Sequence, residues 1–319
     1  MNPVTQDRVR GVLLGQAIGD SLGAQVEFGR AASIRERFPS GVREMTGGGP
    51  HGIRPGQITD DTELALALAR SLAKNGDYVD NDVARAYVRW RNSGPFDIGG
   101  TTSNALGVYG ETDRPLAAVL RERAKTVERS QANGSLMRIS PLAIFGIEGG
   151  VSDIMAADMA AADSQLTHAN AVCQQACMAF VVAVRSLIRS VSEDRQLRVL
   201  VAYNKALNLV TSEEVKRAIT AGRLEKLPEV DNGHQGWVLF ALQIAFHQMF
   251  HAESFEKGLV STVMLGGDAD TNGCIAGALL GAMFGQAGIP TRWAETCLSC
   301  EAPRPADYRI RDLLELADK

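Results

Sequence analysis

The chain has 319 residues, of which 45% are hydrophobic and 22% are charged, and its formal net charge is −4. This length can bury a large core, as one big domain or two ordinary ones. The mild acidity excludes the counterion-release advantage that basic proteins gain on nucleic acid, so a DNA or RNA partner is not expected.

The sequence carries no signal for export or membrane insertion. Its first ten residues are polar and lack the apolar segment of a secretory signal. The longest apolar run that we identify, 274–284, is shorter than the roughly 18 residues needed to cross a bilayer. Five cysteines, an odd number, favour free thiols in a reducing compartment. We therefore expect a cytoplasmic protein without a membrane partner.

Helical periodicity runs through nearly the whole chain. Leu64, Leu68 and Leu72 recur every fourth residue, and the alternation typical of strands is scarce. The spacing predicts helices at about 5–22, 60–74, 80–92, 102–109, 114–128, 135–145, 150–162, 169–190, 193–209, 212–220, 236–251, 253–264, 271–286 and 306–317. The Gly- and Pro-bearing segments between them do not have the composition of a linker. The sequence therefore predicts a single compact all-α domain over residues 1–319.

Two clusters of acids and hydroxyls, far apart in the chain, each open an apolar helix. The first, Thr-Asp-Asp-Thr, begins at Thr59, and the second, Asp-Ala-Asp-Thr, begins at Asp268. Such hard oxygen ligands suit Mg²⁺ or Mn²⁺, and paired cations can polarise substrate oxygens. A plain structural interpretation is also open, in which these residues cap their helices. Capping explains adjacent carboxylates poorly, because they repel unless a cation lies between them.

Two series of glycines repeat with a helical period. One series starts at Gly11 and the other at Gly273, and each has four glycines spaced four residues apart. An interior glycine costs a helix roughly 0.5–1 kcal/mol relative to alanine. Glycines are kept inside a helix despite this cost where their bare faces let two helix backbones approach closely. We therefore expect these helices to be central and packed on each other, which would carry Asp20 and Glu27 towards Asp268.

Three further segments could line a site. Asn133 opens a small-residue loop before a helix, where backbone N–H groups and Ser135 could hold a phosphate. An ordinary Asn-Gly turn with a serine cap explains the same residues. Asp97 starts a capped turn that could line a pocket. The plain interpretation of His168 is a histidine at a helix start whose ring has its hydrogen bonds satisfied.

Together these motifs resemble those of the ADP-ribosylglycohydrolase family, particularly the bacterial branch that removes ADP-ribose from an arginine of dinitrogenase reductase. They occur in family order and span about residues 11–290. The matching motifs are Gly15-x-x-x-Gly19-Asp20-x-x-Gly23 leading to Glu27-Phe28, Gly56-Gln-Ile-Thr-Asp-Asp-Thr-Glu63, Asp97-Ile-Gly-x-Thr-Thr102, Asn133-Gly-x-x-Met-Arg138, Thr167-His168-x-Asn170 and Gly266-Gly-Asp-Ala-Asp-Thr271.

The resemblance implies an all-α fold with two Mg²⁺ (or Mn²⁺) ions at the bottom of a cleft. At matching positions, the metal ligands would be Thr59, Asp60, Asp61, Asp268, Asp270 and Thr271. The catalytic carboxylates would be Glu27, Asp97 and Asp61. The substrate would be bound by Gly99, Thr101, Thr102, Ser103, Asn133, Gly134, Ser135, Met137, His168 and His234. Within this set, Glu27 would orient the ribose or act as a base, and Gly134 and Ser135 would receive the diphosphate.

The chain departs from the arginine-specific bacterial pattern at the rim of the cleft. Gly100 stands where those proteins carry an acid, and Ser135-Leu136 where they carry two small residues. The segment 231–237 lacks the expected tyrosine, and His234 or Trp237 could supply the stacking instead. These departures concern which residue carries the ADP-ribose, not the hydrolysis itself. Arginine is our first interpretation of that residue.

Three functional hypotheses follow from the sequence. The first is a metal-dependent hydrolase that releases ADP-ribose from a modified protein side chain. The second is a hydrolase of another conjugate, with ADP-ribose on serine, guanidine or a nucleic-acid base. The third is a non-catalytic reader of ADP-ribose, or an immunity protein that blocks a cognate ADP-ribosyltransferase. The complete set of metal ligands disfavours the third hypothesis, and the oligomeric state stays open.

Overall fold

The computed structural model describes residues 1–108, 113–224, 226–231 and 233–319. In these ranges the chain forms sixteen α-helices and two short 3-10 turns, and its β pairing is limited to isolated bridges. The helices are α1 Pro3–Ala24, α2 Ala31–Arg37, α3 Asp60–Asn75, α4 Asp80–Asn92, α5 Gly100–Leu106, α6 Leu116–Lys125, α7 Ser140–Ile144, α8 Asp153–Ser164, α9 Ala171–Arg189, α10 Arg195–Leu209, α11 Glu213–Gly222, α12 Val238–His251, α13 Phe255–Val263, α14 Ala269–Phe284, α15 Thr291–Leu298 and α16 Leu313–Ala317. The predicted all-α class is confirmed.

Most predicted helices occur, but three of the predictions need correction. The predicted helix 135–145 shrinks to Ser140–Ile144, because residues 134–138 form turns. The last predicted helix, 306–317, splits into a 3-10 turn, Ala306–Tyr308, and α16. The helix predicted at 102–109 begins at Gly100 and ends at Leu106, and position 109 lies outside the described residues. Helices α2 and α15 were not predicted.

The two glycine-rich helices, α1 and α14, pack against each other through their glycines. The backbone of Gly19 meets that of Gly273, and Gly15 meets Gly277 in the same way. A Cβ atom at Gly19 would overlap the carbonyl group of Gly273, so only bare backbone permits this approach. The predicted central packing of these helices is thus confirmed, although Gly285 ends α14 with a φ of 70° and lies outside it.

Helix α14, and α1 from Gly11 onwards, are buried on all sides. Every residue of α1 from Gly11 to Ala24 is buried, as is all of α14 except its last residue, Phe284. A helix that buries its whole circumference lies in the core of a large domain. Around this pair, one hydrophobic core gathers side chains from Val9 to Ala317. The N-terminus of α14 therefore lies inside the protein beside the C-terminal half of α1.

A buried ion pair joins the end of the chain to α3. Arg304 donates to both carboxylate oxygens of Glu63 at 2.7 and 2.8 Å, and Trp90 Nε1 donates to the same carboxylate at 2.7 Å. Arg304 also donates to the carbonyl oxygens of Ser93 and Gly94, at 3.2 and 3.1 Å. The first turn of α3 and the loop that leads to position 97 are therefore held by one guanidinium group.

Helix α9 is the one described helix whose length and hydropathy would allow it to cross a membrane. Most of it is buried inside the domain, where Val172, Phe180 and Ile188 belong to the core. A long apolar helix at the centre of a large core has this same composition. Its packing therefore accounts for its hydropathy.

Candidate active site

The first turns of α3 and α14 meet at one cavity of about 240 Å³. Asp60 reaches it from α3, Asp268 and Asp270 from α14, and Glu27 from the segment that follows α1. Thr271, which also lines the cavity, donates from Oγ1 to Asp61 Oδ1 at 3.0 Å. The two acidic clusters are therefore neighbours in space, as the glycine spacing led us to expect.

Asp20 of α1 fixes the start of α3. Its carboxylate accepts hydrogen bonds from the backbone N–H groups of Thr59 at 3.0 Å and Thr62 at 3.1 Å. Thr59 also caps the helix itself, because its hydroxyl accepts from the Asp61 N–H at 3.4 Å. A buried acid at a helix N-terminus satisfies free N–H groups and complements the helix dipole. Asp60 and Asp61 are thereby held in fixed positions.

Backbone pairing carries Glu27 to the same place. The Phe28 N–H donates to the Gly267 carbonyl at 2.7 Å, and the Gly267 N–H donates to Gly29 at 2.9 Å. Phe28 has a φ of 59°, the one positive value among the described non-glycine residues. Such a conformation is costly for a bulky side chain and is retained where the surroundings impose it. It places the Glu27 carboxylate within 4.8 Å of those of Asp268 and Asp270.

Burial makes these acids resist ionisation. It raises the pKa of Asp20 to about 7. Burial, with the nearby charge of Asp97, raises the pKa of Glu27 to about 9. The pKa values of Asp60, Asp61 and Asp270 also lie well above the ordinary range, chiefly because these carboxyls are buried. Neither lysine nor arginine occurs among the described residues that line the cavity.

The donor set fits hard divalent cations. Carboxylate and hydroxyl oxygens are the ligands that Mg²⁺ and Mn²⁺ prefer. Glu27 Oε2 is buried; His51 Nε2 lies 3.3 Å from it, but Oε2 makes no hydrogen bond within the described part of the chain. Such a group is costly unless something outside the protein satisfies it. A cluster of buried acids with an unsatisfied oxygen is the arrangement expected where cations bind.

Most residues that the sequence assigned to the site lie around this cavity. Those that line it are Glu27, Asp60, Asp97, Gly99, Thr101, Thr102, Asn133, Gly134, Met137, His168, Asp268, Asp270 and Thr271. Thr59 and Asp61 are fully buried beside them rather than in the lining. Asn133 Nδ2 also donates to Asp268 Oδ2 at 2.6 Å, which joins the small-residue loop to the second cluster.

Three predicted substrate-binding residues do not line the cavity. Ser135 is fully buried, and its hydroxyl accepts hydrogen bonds from Ser164 at 2.9 Å and Cys177 at 3.5 Å. Its side chain therefore turns away from the place where we expected a diphosphate. Ser103 lies one residue beyond the lining. His234 is exposed and borders a neighbouring hollow, so the structure gives it no stacking position in the cavity.

Trp237, the other stacking candidate, takes part in local packing. It donates from Nε1 to Gln131 at 2.8 Å and contacts Phe240 edge-to-face at 4.9 Å between ring centroids. Within the segment 231–237, the residues that line the cavity are Gln235 and Gly236. Position 232 lies outside the described residues.

The sequence did not reveal His51. Its Nε2 lies 3.3 Å from Glu27 Oε2 and 3.3 Å from Asp97 Oδ2. The rings of Phe28 and Phe96 flank it, with centroids at 6.4 and 5.7 Å. The glycine-rich sequence before Thr59 was the available signal, because such a loop can fold back over a site. His51 thus lies close to two of the three carboxylates that the resemblance assigns to catalysis.

The fold is all-α, and its cavity is lined by buried carboxylates from helices that are distant in the chain. These features define a class of protein that is suited to bind hard divalent cations beside a substrate. The model of the ADP-ribosylglycohydrolase family matches residues 1–319, and the chain belongs to this family. Members of the family are ADP-ribosyl hydrolases, a result that agrees with the resemblance seen in the motifs.

The chain is similar to relatives over nearly its full length. It is 32% identical to the ADP-ribosyl-[dinitrogen reductase] glycohydrolase of Rhodospirillum rubrum, over 99% of this chain and 98% of that protein. It is 28% identical to the ADP-ribosylarginine hydrolase Tri1 of Pseudomonas putida (strain GB-1), over 91% of this chain and 74% of that protein. A solved structure described as an ADP-ribosylglycohydrolase-related protein complex matches with a TM-score of 0.76 and 31% identity, covering 98% of this chain and 96% of that chain.

Proposed function

We propose that the protein is a Mg²⁺- or Mn²⁺-dependent hydrolase that removes ADP-ribose from a modified protein side chain, with arginine as the linked residue. The observation that carries this proposal is the convergence of both acidic clusters and Glu27 on one cavity. Membership of the family gives the reaction class. We place the protein in the cytoplasm, a proposal that its five free cysteines support.

The ligands of the two ions would be the carboxylates and hydroxyls of the first turns of α3 and α14, namely Thr59, Asp60, Asp61, Asp268, Asp270 and Thr271. When bound, the ions would supply Lewis-acid polarisation of ribose hydroxyl oxygens. The protein contributes the rigidity of the site, because Asp20 holds α3 and Asn133 holds Asp268. Fixed ligands of this kind position a substrate without reorganisation during the reaction.

Glu27 and Asp97 would handle the sugar and its protons. Glycosidic hydrolysis bonds a water oxygen to the anomeric carbon, breaks the bond to the leaving nitrogen and delivers a proton to that nitrogen. Asp97 has 21% of its side chain exposed and Glu27 has 3%, so Asp97 lies nearer the mouth. We therefore assign proton exchange with water and the leaving nitrogen to Asp97. We assign orientation of the ribose to Glu27.

The small-residue loop that begins at Asn133 would hold the diphosphate. The neighbours of Gly134 in this loop are Thr102 and His168. A bare glycine allows a phosphate to approach backbone N–H groups closely. Because Ser135 Oγ is occupied by Ser164 and Cys177, we assign this contact to backbone and to His168 rather than to the serine hydroxyl.

The rim of the cavity supports a second candidate, the hydrolysis of another ADP-ribose conjugate. Gly100 brings no acid to the lining, and His234 lies outside it. The linked residue would instead meet the exposed rings of Phe28 and Phe96 around His51. Arginine stays first, because a planar guanidinium stacks on aromatic rings and because the relatives named above include an ADP-ribosylarginine hydrolase.

Measuring free ADP-ribose released from a panel of conjugates tests the proposal. The panel contains ADP-ribose linked to protein arginine, protein serine, guanidine and a nucleic-acid base, each with Mg²⁺, with Mn²⁺ and with EDTA. We expect release from the arginine conjugate, abolished by EDTA and restored by either metal. Release from serine or base conjugates alone would establish the second candidate. Absence of release from every conjugate with metal present would refute the hydrolase assignment.

A further inference from the structure

His168 has one ring nitrogen satisfied and the other unpaired. The residue is 1% exposed and lines the cavity wall. Its Nδ1 lies 2.8 Å from Thr167 Oγ1, whereas its Nε2 is buried without a hydrogen-bond partner among the described residues. A Cβ atom added at Gly134 would lie 3.2 Å from this Nε2 and 2.9 Å from Thr102 Oγ1. The unpaired nitrogen therefore faces the glycine of the small-residue loop.

The direction of the hydrogen bond at Nδ1 follows from Arg138. This arginine is fully buried and donates from its guanidinium to Thr167 Oγ1 at 2.8 Å and to Asp163 Oδ2 at 3.0 Å. An arginine side chain has donors only, so the Thr167 oxygen must accept this bond. The single hydroxyl proton of Thr167 is then available for His168 Nδ1.

This bond decides the tautomer of the imidazole. When Nδ1 accepts a hydrogen bond from the Thr167 hydroxyl, the ring proton must reside on Nε2. The opposite tautomer would leave the hydroxyl proton of Thr167 without an acceptor in the described part of the chain. Burial, with the charge of Arg138, lowers the pKa of His168 to about 3, so the ring stays neutral at ordinary pH.

We propose that Arg138 and Thr167 hold His168 as its neutral Nε2–H tautomer, which offers an uncharged donor to a phosphate oxygen of the ligand. A neutral donor suits this place, because an imidazolium would repel divalent cations in the same cavity. Contact with the oxygen would also satisfy the one unpaired nitrogen of the ring. The identity of the ligand rests on the proposed function, whereas the tautomer does not. Thr167 is thus a positioning residue.

Nitrogen-15 NMR of the histidine side chains tests the tautomer directly in the metal-free protein. We expect His168 Nε2 to resonate as a protonated nitrogen and Nδ1 as an unprotonated one, unchanged between about pH 5 and pH 9. Comparison with a His168→Gln spectrum assigns the signals. Protonation of Nδ1, or of both nitrogens, anywhere in this range would overturn the proposal. This result depends on neither metal nor activity.

Two variants of Thr167 test its role in binding. Thr167→Ser keeps the hydroxyl, and we expect ADP-ribose affinity and KM within about twofold of the parent values. Thr167→Val removes it, and we expect ADP-ribose binding to weaken by about 3- to 10-fold, with KM raised and kcat retained. Thr262→Val is the matched control, because Thr262 is a buried threonine whose hydroxyl donates within α13.

The outcomes separate this proposal from the proposed function. Unchanged affinity in Thr167→Val would overturn the positioning role, as would equal losses in the serine and valine variants. If the valine variant does not fold, the NMR spectrum of the parent and the binding of Thr167→Ser still decide. If the parent protein binds no ADP-ribose, the proposed function fails, and the proposed donor to a ligand phosphate fails with it; the spectrum then decides the tautomer alone.

Discussion

The hydroxyl of Thr271 donates to the carboxylate of Asp61 across 210 residues of chain, with Oγ1 3.0 Å from Oδ1. Both residues lie in the first turns of their helices, α14 and α3, and both are buried. This contact shows that the two acidic clusters form one structure rather than two separate helix starts. The buried acids around it are therefore the first target for mutation.

Asp61→Asn should reduce ADP-ribose release by roughly 100-fold or more, because an amide is a poor ligand for a hard cation. The metal-free variant should unfold at the same temperature as the parent or higher, since it replaces a buried acid whose pKa is already raised. Kinetics with metal and thermal unfolding in EDTA check the two effects. Glu193→Gln, at an exposed carboxylate, is the matched control. Parental turnover in Asp61→Asn would contradict the assigned site.

Gly19→Ala should destabilise the protein by about 1–3 kcal/mol or more, although alanine favours an isolated helix. The added Cβ would overlap the backbone of Gly273, which cannot move away as a flexible side chain could. Chemical denaturation measures the change in the free energy of unfolding. Gly149→Ala is the control, because its Cβ would make only an ordinary contact at 3.9 Å. Equal stability of Gly19→Ala and the parent would rule out the close helix packing.

Arg304→Met should cost about 3–5 kcal/mol of stability, because it leaves the buried Glu63 carboxylate without its cation. Activity should fall as well, since Arg304 also holds the loop that precedes Asp97. Combining it with Glu63→Gln should recover part of the stability, and a double-mutant cycle measures this coupling. The exposed pair Lys257–Glu253 serves as control. Additive effects of the two buried substitutions would argue against the pairing.

The stability of the metal-free protein should fall as pH rises from about 4 towards 9. The raised pKa values of Asp20, about 7, and Glu27, about 9, mean that the folded state binds more protons than the unfolded state in this window. The free energy of unfolding then decreases with pH. Thermal unfolding in EDTA at several pH values measures the trend.

Added Mg²⁺ or Mn²⁺ should flatten this trend, because bound cations stabilise the ionised acids in the folded state. The increase in unfolding temperature on adding metal should therefore be larger at high pH than at low pH. The control is the same buffer without divalent metal ions, at equal ionic strength. Metal-free stability that is flat or rises with pH would show that the fold does not raise the pKa values of these acids.

Much of the architecture was predictable, because its signals are local and periodic. The leucines of α3 and the glycines of α1 and α14 repeat with the helix, and their positions alone indicated which faces pack. Helices α2 and α15 escaped prediction because both are short and begin without a side-chain cap. The start of α2, at Ala31, carries none of the usual sequence signals.

The details of the cavity could not be predicted in the same way. His51 belongs to a loop without periodicity, whose path depends on positive φ angles at Gly48, Gly49 and Gly52. Ser135 stands at the expected motif position, yet its direction is set by Ser164, a partner from another helix. A motif fixes where a residue lies along the chain, whereas side-chain direction depends on tertiary contacts.

The interlocked pair of α1 and α14 also has a consequence for biosynthesis. Helix α1 leaves the ribosome before α14, and α14 can cover its bare glycine face only after some 250 further residues have been made. Until then the nascent chain exposes the glycine face of α1 and lacks Asp268 and Asp270, two of the four carboxylates that we propose as metal ligands. The site is therefore complete only after the second acidic cluster has been made and α14 has packed on α1. A chain stalled before residue 268 should be inactive, however well its early helices have formed.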